Sequence, residues 1–247
     1  MKSKKIGYMF FGKSLFFPEE GILAIGDLHL GYERAIEESG ILVPEEQVKE
    51  LKKEFTKLFE DIELKGYKIK KIVFIGDLKH SFSYSHKEKN YFKDILNFLK
   101  NKFKDKDILL IKGNHDTIDY SFSDKLKNYI ILKGIAFTHG NKLFEEVFDK
   151  KIKIIVLGHL HPSVIISDKH KIKKEKYKCF LEGKFKGKIV VVLPSFLKTI
   201  EGTTVNKLDL DYEDYFSFIP RKNLLNFKIH AVGDNETFDF GKVRNLI

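Results

Sequence analysis

Cysteine is almost absent from this chain, which has one, Cys179, in 247 residues. A single cysteine excludes an internal disulfide and favours a reducing compartment. Long apolar runs are absent as well, since none approaches the roughly 20 residues that cross a membrane. The basic and apolar N-terminus is interrupted by Gly7, Gly12 and Lys13, and no small-residue cleavage site follows it, so it does not match a signal peptide. We therefore expect a soluble, cytoplasmic protein with no membrane partner.

Arginine is also scarce, with three among the 45 basic residues, and the net charge is +10. The excess of lysine, beside a single glutamine (Gln47), is typical of a thermophilic source, because lysine and glutamate enrichment is a hyperthermophile signal. The net charge is therefore weak evidence that the protein binds nucleic acid. Two local lysine clusters, at 169–178 and 184–188, are more specific. They fit either a solvated hairpin or a surface that follows a phosphate backbone.

Five short apolar runs are continuous rather than alternating, which is typical of strands buried on both faces of a sheet. They occupy residues 22–25, 72–75, 108–111, 135–137 and 154–157. Between them, one-sided apolar patterns predict helices at 44–64 and 90–103. Later patterns predict strands at 164–166, 177–181, 189–193, 227–232 and 237–240. Since 43% of the residues are hydrophobic, enough for a sizeable core, we predict one α/β domain over residues 1–247.

Each of the five runs ends in a short phrase rich in aspartate, asparagine or histidine. The phrases are GDLH (26–29), GDLKH (76–80), GNHD (113–116), THG (138–140) and GHLH (158–161). Open α/β sheets place their ligands at the carboxyl ends of strands. Asp27 and His29 are two residues apart, so in an extended chain both side chains can reach one ion. The carboxylate of Asp77 has two oxygens, enough to bridge two cations.

Two divalent metals about 3.5–4 Å apart turn a shared water into hydroxide near neutral pH and stabilise both sides of an in-line displacement at phosphorus. The phrases therefore predict phosphoester hydrolysis. A donor set of carboxylates, an amide and imidazoles without a thiolate favours two manganese ions, with iron, nickel or zinc as alternatives.

In this order, the phrases resemble the pattern of the calcineurin-like metallophosphoesterase superfamily, from Asp27 to His161. One such tetrapeptide is a weak signal, but five in order are specific. The resemblance implies a four-layer α/β/β/α sandwich of two mixed sheets with a dinuclear metal site at one end. It also implies that His115 is the general acid that protonates the leaving oxygen. The implied ligands are Asp27, His29, Asp77 and His161 for the first metal, and Asp77, Asn114, His139 and His159 for the second.

Smaller differences from the superfamily pattern indicate which branch the chain resembles. Ser/Thr protein phosphatases carry GDxxDRG, whose arginine clamps the phosphate, whereas the matching stretch here has no arginine. GDLKH looks like the GDxxH of SbcD-type repair nucleases, in which that histidine assists at the active site, so His80 is a second catalytic candidate. GDLHLGYE (26–33) and LPSF (193–196) are similar to archaeal SbcD-related phosphoesterases and to bacterial ones encoded beside helicases and ligases. We expect Tyr32, Glu33 and Ser195 to be structural.

The resulting hypothesis is a phosphodiesterase that uses a hydroxide bridging the two metals and acts on DNA, RNA or a nucleotide. One alternative is a phosphatase or cyclic-nucleotide phosphodiesterase for small metabolites. Another is a scaffold on the same fold, such as the retromer-type subunit, although here the ligand set and His115 are intact. A homodimer and an association with DNA repair or helicase proteins are partners that the resemblance alone suggests.

Overall fold

The structure is a computed structural model and describes residues 6–116, 123–167, 173–207, 217–234 and 236–247. Its first sheet is mixed. Its strands are β1 (Met9–Phe11), β2 (Ser14–Phe17), β3 (Ile22–Ile25), β4 (Lys71–Phe74), β5 (Ile108–Ile111) and β6 (Leu126–Lys127). Strands β1 to β3 form an antiparallel meander, and β3 to β6 are parallel. The first two strands, β1 and β2, were not predicted from the sequence.

The second sheet is also mixed and contains nine described strands. Its centre is the parallel set β8, β9 and β12, and antiparallel neighbours flank this set. The strands are β7 (Tyr129–Leu132), β8 (Ile135–Thr138), β9 (Ile154–Leu157), β10 (Pro162–Ser167), β11 (Lys174–Phe185), β12 (Lys188–Val192), β13 (Thr203–Thr204), β14 (Lys228–Val232) and β15 (Thr237–Lys242). The longest, β11, extends well beyond the predicted 177–181 because one half pairs with β10 and the other with β12 and β14.

The helices are α1 (Tyr32–Glu38), α2 (Gln47–Leu64), α3 (His86–Lys100) and α4 (Arg221–Leu224). The predicted start of α2 at residue 44 was wrong, because the Glu33 carboxylate accepts from the backbone N–H of Glu46 and Gln47 and caps the helix there. The start of α3 at residue 90 was wrong as well. The Ser85 hydroxyl accepts from the Glu88 N–H, so this helix begins at His86.

Three apolar layers hold these elements together. Helices α2 and α3 pack on one face of the first sheet through Phe55, Phe92 and Phe74. The two sheets face each other through a second layer that includes Phe17 and Phe137. The outer face of the second sheet is covered, within the described residues, by the short helix α4 and a 3-10 turn, Glu145–Phe148. The architecture is the predicted α/β sandwich of two mixed sheets, with a thin fourth layer.

No helix in the described residues is long and apolar enough to cross a membrane. The first lysine cluster lies partly on β11, where Lys174 and Lys176 are exposed, while residues 168–172 are outside the described residues. In the second cluster, Lys188 is turned inward at its tip and donates to the carbonyl oxygens of Asp149 and Ile152.

Candidate metal centre

The five phrases meet at one end of the two facing sheets. Strands β3, β4 and β5 are parallel neighbours in the first sheet, and β8 and β9 are parallel neighbours in the second. Their carboxyl ends therefore lie side by side. Asp27, Asp77 and Asn114 follow the three strands of the first sheet, and His139, His159 and His161 follow the two strands of the second.

The first group of donors contains Asp27, His29, Asp77 and His161. One donor atom from each lies within 4.8 Å of those of the others. Nε2 of His161 is 3.3 Å from Oδ1 of Asp27, and Nε2 of His29 is 3.9 Å from Oδ2 of Asp77. This is the set that the resemblance implies for the first metal.

The second group contains Asp77, His139 and His159, again with donor atoms within 4.8 Å. Nε2 of His139 is 3.3 Å from Oδ2 of Asp77 and 2.9 Å from Oδ1 of Asn114, which adds the amide to the group. Nδ1 of His139 lies 2.8 Å from the Ile75 carbonyl oxygen and can donate to it, leaving Nε2 to face the cluster. Asp77 belongs to both groups and is the side chain placed to bridge two ions.

An unusual backbone conformation orients several of these donor side chains. Six described residues other than glycine have positive φ, and four of them are His29 (43°), Asp77 (45°), His159 (65°) and His161 (44°). Such left-handed residues are uncommon and cluster at functional sites. Each is held by the structure around it; for example, the N–H groups of Leu28 and His29 both donate to the Asp77 carbonyl oxygen, at 3.1 and 2.9 Å.

Two glycines let the loops approach each other closely. A Cβ atom on Gly158 would lie 2.8 Å from Oδ2 of Asp27, and one on Gly76, whose φ is 94°, would lie 2.6 Å from Nδ1 of His139. Any larger residue at Gly158 would displace Asp27, and any larger residue at Gly76 would displace His139. The glycines thus serve the tight turns and the site together.

The electrostatic environment keeps the carboxylates of Asp27 and Asp77 ionised and the imidazole of His29 neutral. Burial opposes ionisation of Asp27, but His161 and His139 hold its pKa below the usual value. Burial opposes ionisation of Asp77 too, yet His139 and His29 hold its pKa well below the usual range. Burial and His161 lower the pKa of His29 to about 3. Burial lowers the pKa of His139, but the Asp77 and Asp27 carboxylates outweigh it and raise this pKa to about 9.

This donor set fits divalent cations. Two ionised carboxylates, an amide oxygen and imidazole nitrogens converge, and Asp27, His29, Asp77 and His139 are almost completely buried. Buried carboxylates without a counter-charge are costly, and a cation between them removes that cost. A cation would also displace the proton that His139 otherwise shares with Asp77, because histidine ligands bind metals in the neutral form.

The two catalytic candidates lie beside the donors. His115 and His80 form a third group with His29, with nitrogen atoms within 4.8 Å of one another. The backbone N–H of His115 donates to Oδ1 of Asp77 at 2.9 Å, and its ring Nδ1 is hydrogen-bonded to the His80 carbonyl oxygen. Nε2 of His115 is thereby turned towards the cluster, 3.9 Å from Oδ2 of Asp77. Burial and the neighbouring His115 lower the pKa of His80.

Two supporting residues, Asp116 and Gln47, were not identified as such from the sequence. The buried Asp116 carboxylate accepts from the N–H groups of Leu78 and Gly113, at 3.1 and 2.8 Å, and so ties the second phrase to the third. Burial and Asp77 raise the pKa of Asp116 to about 6. The buried amide of Gln47 donates to the His29 carbonyl oxygen at 2.8 Å. In the sequence, Asp116 could have been found as the fourth residue of the GNHD phrase.

Ser195 has a structural role, as expected. Its hydroxyl donates to the Asp27 carbonyl oxygen at 3.1 Å, and the Phe196 N–H donates to the same oxygen at 3.0 Å. The carbonyl of Ser195 in turn accepts from the ammonium of Lys178 at 2.9 Å. A partly buried lysine therefore supports the loop that holds Asp27, and nothing in the sequence pattern indicated this contact.

Comparison with known proteins agrees with this geometry. The sequence profile of the calcineurin-like phosphoesterase family matches residues 21–181. No curated protein matches the chain in sequence. Among solved structures, the nuclease MPE of Pseudomonas putida is similar, with a TM-score of 0.60 at 13% identity over 96% of this chain and 98% of that one. This likeness establishes the shared fold.

Two more distant structures share less of the geometry. Vps29 of Entamoeba histolytica, in complex with zinc, has a TM-score of 0.41 at 14% identity, covering 89% of this chain and 99% of its own. A conserved uncharacterised protein of Streptococcus pneumoniae, described as a predicted phosphoesterase, has a TM-score of 0.32 at 14% identity, covering 90% and 97%.

Proposed function

Because this chain belongs to the calcineurin-like phosphoesterase family, and is thus a metal-dependent phosphoesterase, we propose that it hydrolyses phosphodiester bonds of nucleic acids or nucleotides. The observation that carries the proposal is the pair of donor groups that share Asp77, with His115 directed at them from one side. An intact double site of this kind argues against a scaffold protein on the same fold.

We assign Asp27, His29, Asp77 and His161 to one ion, and Asp77, Asn114, His139 and His159 to the other. Manganese is the metal we expect, since oxygen and imidazole donors without a thiolate form an intermediate-to-hard set. When bound, two such ions supply a nucleophile at neutral pH and offset the charge that develops on the phosphoryl oxygens. The chain itself holds the ligands in place through Asp116, Gln47 and the loop at Ser195.

The remaining difficulty of the reaction is the departing alkoxide. Nδ1 of His115 is hydrogen-bonded to the His80 carbonyl, so a proton on Nε2 would face the cluster and can be given to the leaving oxygen. His80 stacks on His115 with ring centroids 5.7 Å apart and an interplanar angle of 23°. In this scheme His115 is the acid, and His80 orients it and borders the substrate.

The contacts of the three arginines favour a phosphodiester over a phosphomonoester as the substrate. A monoester dianion carries additional charge that a bidentate arginine would bind. Arg34 borders the cleft beside His80, but its Nε pairs with Glu38 at 2.8 Å. Arg221 donates to the Lys207 carbonyl, and Arg244 lies in the C-terminal 3-10 turn. Neither the Arg34–Glu38 pair nor the Arg221 hydrogen bond involves a residue of the metal cluster.

The nucleic-acid part of the proposal has separate support. The GDxxH phrase ending at His80 and the LPSF segment are similar to those of SbcD-related phosphoesterases, and the P. putida protein with the same fold is a nuclease. The decisive experiment is a substrate panel with manganese: bis-p-nitrophenyl phosphate, the matching monoester, cyclic nucleotides, single-stranded and duplex DNA, and RNA. We expect diesters and oligonucleotides to be hydrolysed best. More efficient turnover of the monoester, or of cyclic nucleotides alone, would instead identify an enzyme for small metabolites.

A further inference from the structure

A cavity of about 660 Å³ is formed by helix α2, the β1–β2 turn, the first half of β11, the 196–198 segment and the β14–β15 turn. Small-molecule sites have volumes of about 300–1,000 Å³. None of the described residues that line the cavity is a proposed metal ligand or a catalytic candidate. The cavity is therefore a candidate binding site separate from the metal centre.

Positive charge exceeds negative charge on the cavity walls. The described lining contains six lysines and four carboxylates. Of the lysines, Lys13 has only 11% of its side chain exposed, and Lys178 is partly buried. Lys13 disfavours the charge on Lys178, and Glu54 is the lining carboxylate that favours the charge on both. Two partly desolvated ammoniums thus share one carboxylate, and an anion in the cavity would supply a second counter-charge.

Each of these two ammoniums has three N–H donors. Both lysines donate to carbonyl oxygens of the 195–197 loop, Lys178 to the first and third of them and Lys13 to the one between. Lys13 also pairs with the Glu54 carboxylate at 2.6 Å. In the described part of the chain, two donors of each lysine therefore have acceptors in the protein, and the third can bind an anion.

The same cavity has apolar walls. They include Phe10, Phe11, Leu58 and Phe196. The ammonium of Lys13 lies 5.0 Å from the centre of the Phe196 ring. An inorganic ion would leave this apolar surface in contact with water, whereas an organic anion would cover it, which is favourable. The lining therefore fits a small organic anion better than phosphate or sulfate alone.

The 195–197 loop connects the cavity to the metal centre. The Ser195 hydroxyl and the Phe196 N–H both donate to the Asp27 carbonyl oxygen, at 3.1 and 3.0 Å. Lys178 holds the loop from the cavity side. Because burial lowers the pKa of Lys178 to about 7, this lysine carries only part of its charge at neutral pH, and a neutral amine is a weaker donor to the loop.

We propose that the cavity binds a small organic anion, a carboxylate or phosphate on an apolar body, against Lys13 and Lys178, and that the bound anion strengthens metal binding at Asp27 through this loop. An anion beside Lys178 favours its ammonium form, which is the stronger donor to the loop. The other described charged groups that act on Lys178 are Glu54 and Asp27. The inference assumes the metal centre but no particular phosphoester substrate, so it stands apart from the phosphodiesterase proposal.

Naphthalene-2-sulfonate is the probe for this site, because its sulfonate carries the charge of a carboxylate yet coordinates metals weakly. Isothermal titration calorimetry of the full chain at neutral pH compares it with two analogues, the neutral naphthalene-2-sulfonamide and methanesulfonate, which lacks the apolar body. The probe should bind at least about tenfold more tightly than either, since charge-assisted hydrogen bonds and buried apolar surface both contribute. Binding of either analogue as tightly as the probe would overturn the proposal.

Lys13→Met and Lys178→Met should each weaken probe binding roughly 10- to 100-fold, the value of one charge-assisted hydrogen bond. Lys174→Met, at an exposed position on the same strand as Lys178 and outside the cavity lining, is the matched control and should bind the probe as wild type does. Equal affinities in the wild type and in both cavity variants would place the probe elsewhere and overturn the proposal.

The wild type alone gives a second measurement that no folding defect of a variant can affect. Since the pKa of Lys178 is about 7 in the free protein, this lysine loses its proton as the pH rises above that value. The dissociation constant of the probe should therefore increase between about pH 7 and pH 9, by up to about tenfold per pH unit. A dissociation constant that stays the same over this range would contradict the contact with Lys178 and overturn the proposal.

The coupling to the metal centre is measured by titrating manganese into the full chain at about pH 8, with and without saturating probe, while electron paramagnetic resonance follows free manganese. Coupling between two sites typically changes affinity about 5- to 150-fold. We expect the probe to tighten manganese binding by about 5-fold or more in the wild type and not in Lys178→Met. An unchanged manganese affinity in the wild type would overturn the coupling. Probe binding without any manganese binding would contradict the metal centre and the proposed function and, with them, the coupling, while the anion site would remain.

Discussion

The Nε2 atoms of His29 and His161 face each other at 3.2 Å. With the pKa of His29 lowered to about 3, His29 has no proton to spare on a second nitrogen, so this contact depends on the tautomer of each ring. A cation held by both nitrogens would satisfy both lone pairs, and Asp27, whose Oδ1 lies 3.3 Å from Nε2 of His161, would be a further ligand. The two facing nitrogens are therefore better placed to bind a cation than to form a hydrogen bond with each other.

Replacing the shared carboxylate should disturb both metals. Asp77→Asn keeps the size of the side chain but removes the charge and one strong oxygen donor, so we expect bound manganese to fall from two ions to one or none per chain. Turnover of a diester should fall by at least about 10²-fold, since even groups that only orient ligands are worth 10- to 100-fold. Elemental analysis after gel filtration measures the first quantity. Asp61→Asn, at an exposed position on α2, is the control. Two tightly held ions and full activity in Asp77→Asn would refute the bridging role.

Replacing Lys178 by methionine should change how the free energy of unfolding depends on pH. Burial, and then Lys13, lowers the pKa of Lys178 to about 7, against about 10.4 in an unfolded chain. Between these values the unfolded chain binds more protons, so the free energy of unfolding should rise with pH from 7 to 10 and be insensitive to this group below 7. The rise should be on the order of 1–4 kcal/mol. Urea unfolding at several pH values should show it in the wild type and in the exposed control Lys174→Met, and not in Lys178→Met. Equal slopes in all three would contradict the assignment.

The positions of the ligands were accessible from the sequence, because strand patterns and ligand phrases coincide. A buried parallel strand leaves its next residues at one edge of the sheet, so Asp27, Asp77 and Asn114 had to lie near each other if the strands were neighbours. The two facing sheets then bring His139 and His159 to the same place. Periodicity alone does not show which strands are neighbours, and that order comes from the structure.

Other parts of the site depend on contacts between distant residues, and the sequence pattern carries no sign of them. The left-handed conformation of His29 and His161 is not indicated by the strand pattern, since residues other than glycine adopt it only uncommonly. Lys178 looked like part of a solvated cluster, but its ammonium turns inward to the loop at Ser195. The stacking of Phe82 on His115 also depends on the fold and has no signal in the sequence pattern.

The exposed lysines at positions 173, 174 and 176, at and just before the start of β11, should contribute little to binding of a nucleic acid backbone. Lys173 pairs with Glu175 at 2.6 Å, and Lys176 pairs with Glu201 at 3.0 Å, so two of the positive charges lie beside negative ones. If three lysines contacted three phosphates, their joint replacement by alanine would reduce the slope of log affinity against log salt by about 2.7. We expect a reduction below about 1. Binding of a fluorescent oligonucleotide at four salt concentrations measures the slope, and a loss near the full value would assign this surface to the substrate.

The sharpest prediction concerns His115, because its neighbour Asn114 is a proposed ligand and Nε2 of its own ring faces the metal cluster. The turn that aims the Asn114 amide at the cluster also directs Nε2 of His115 towards it, 3.9 Å from Asp77. His115→Asn should fold normally and retain both metals, yet lose roughly 10²–10⁴ in turnover of a diester with an alkoxide leaving group. The loss should be much smaller for bis-p-nitrophenyl phosphate, because nitrophenolate departs without a proton. Metal content and the two turnover rates, measured on the same preparation, separate the possible roles. Loss of a metal would make His115 a ligand, and equal losses with both substrates would make it a group that positions the substrate.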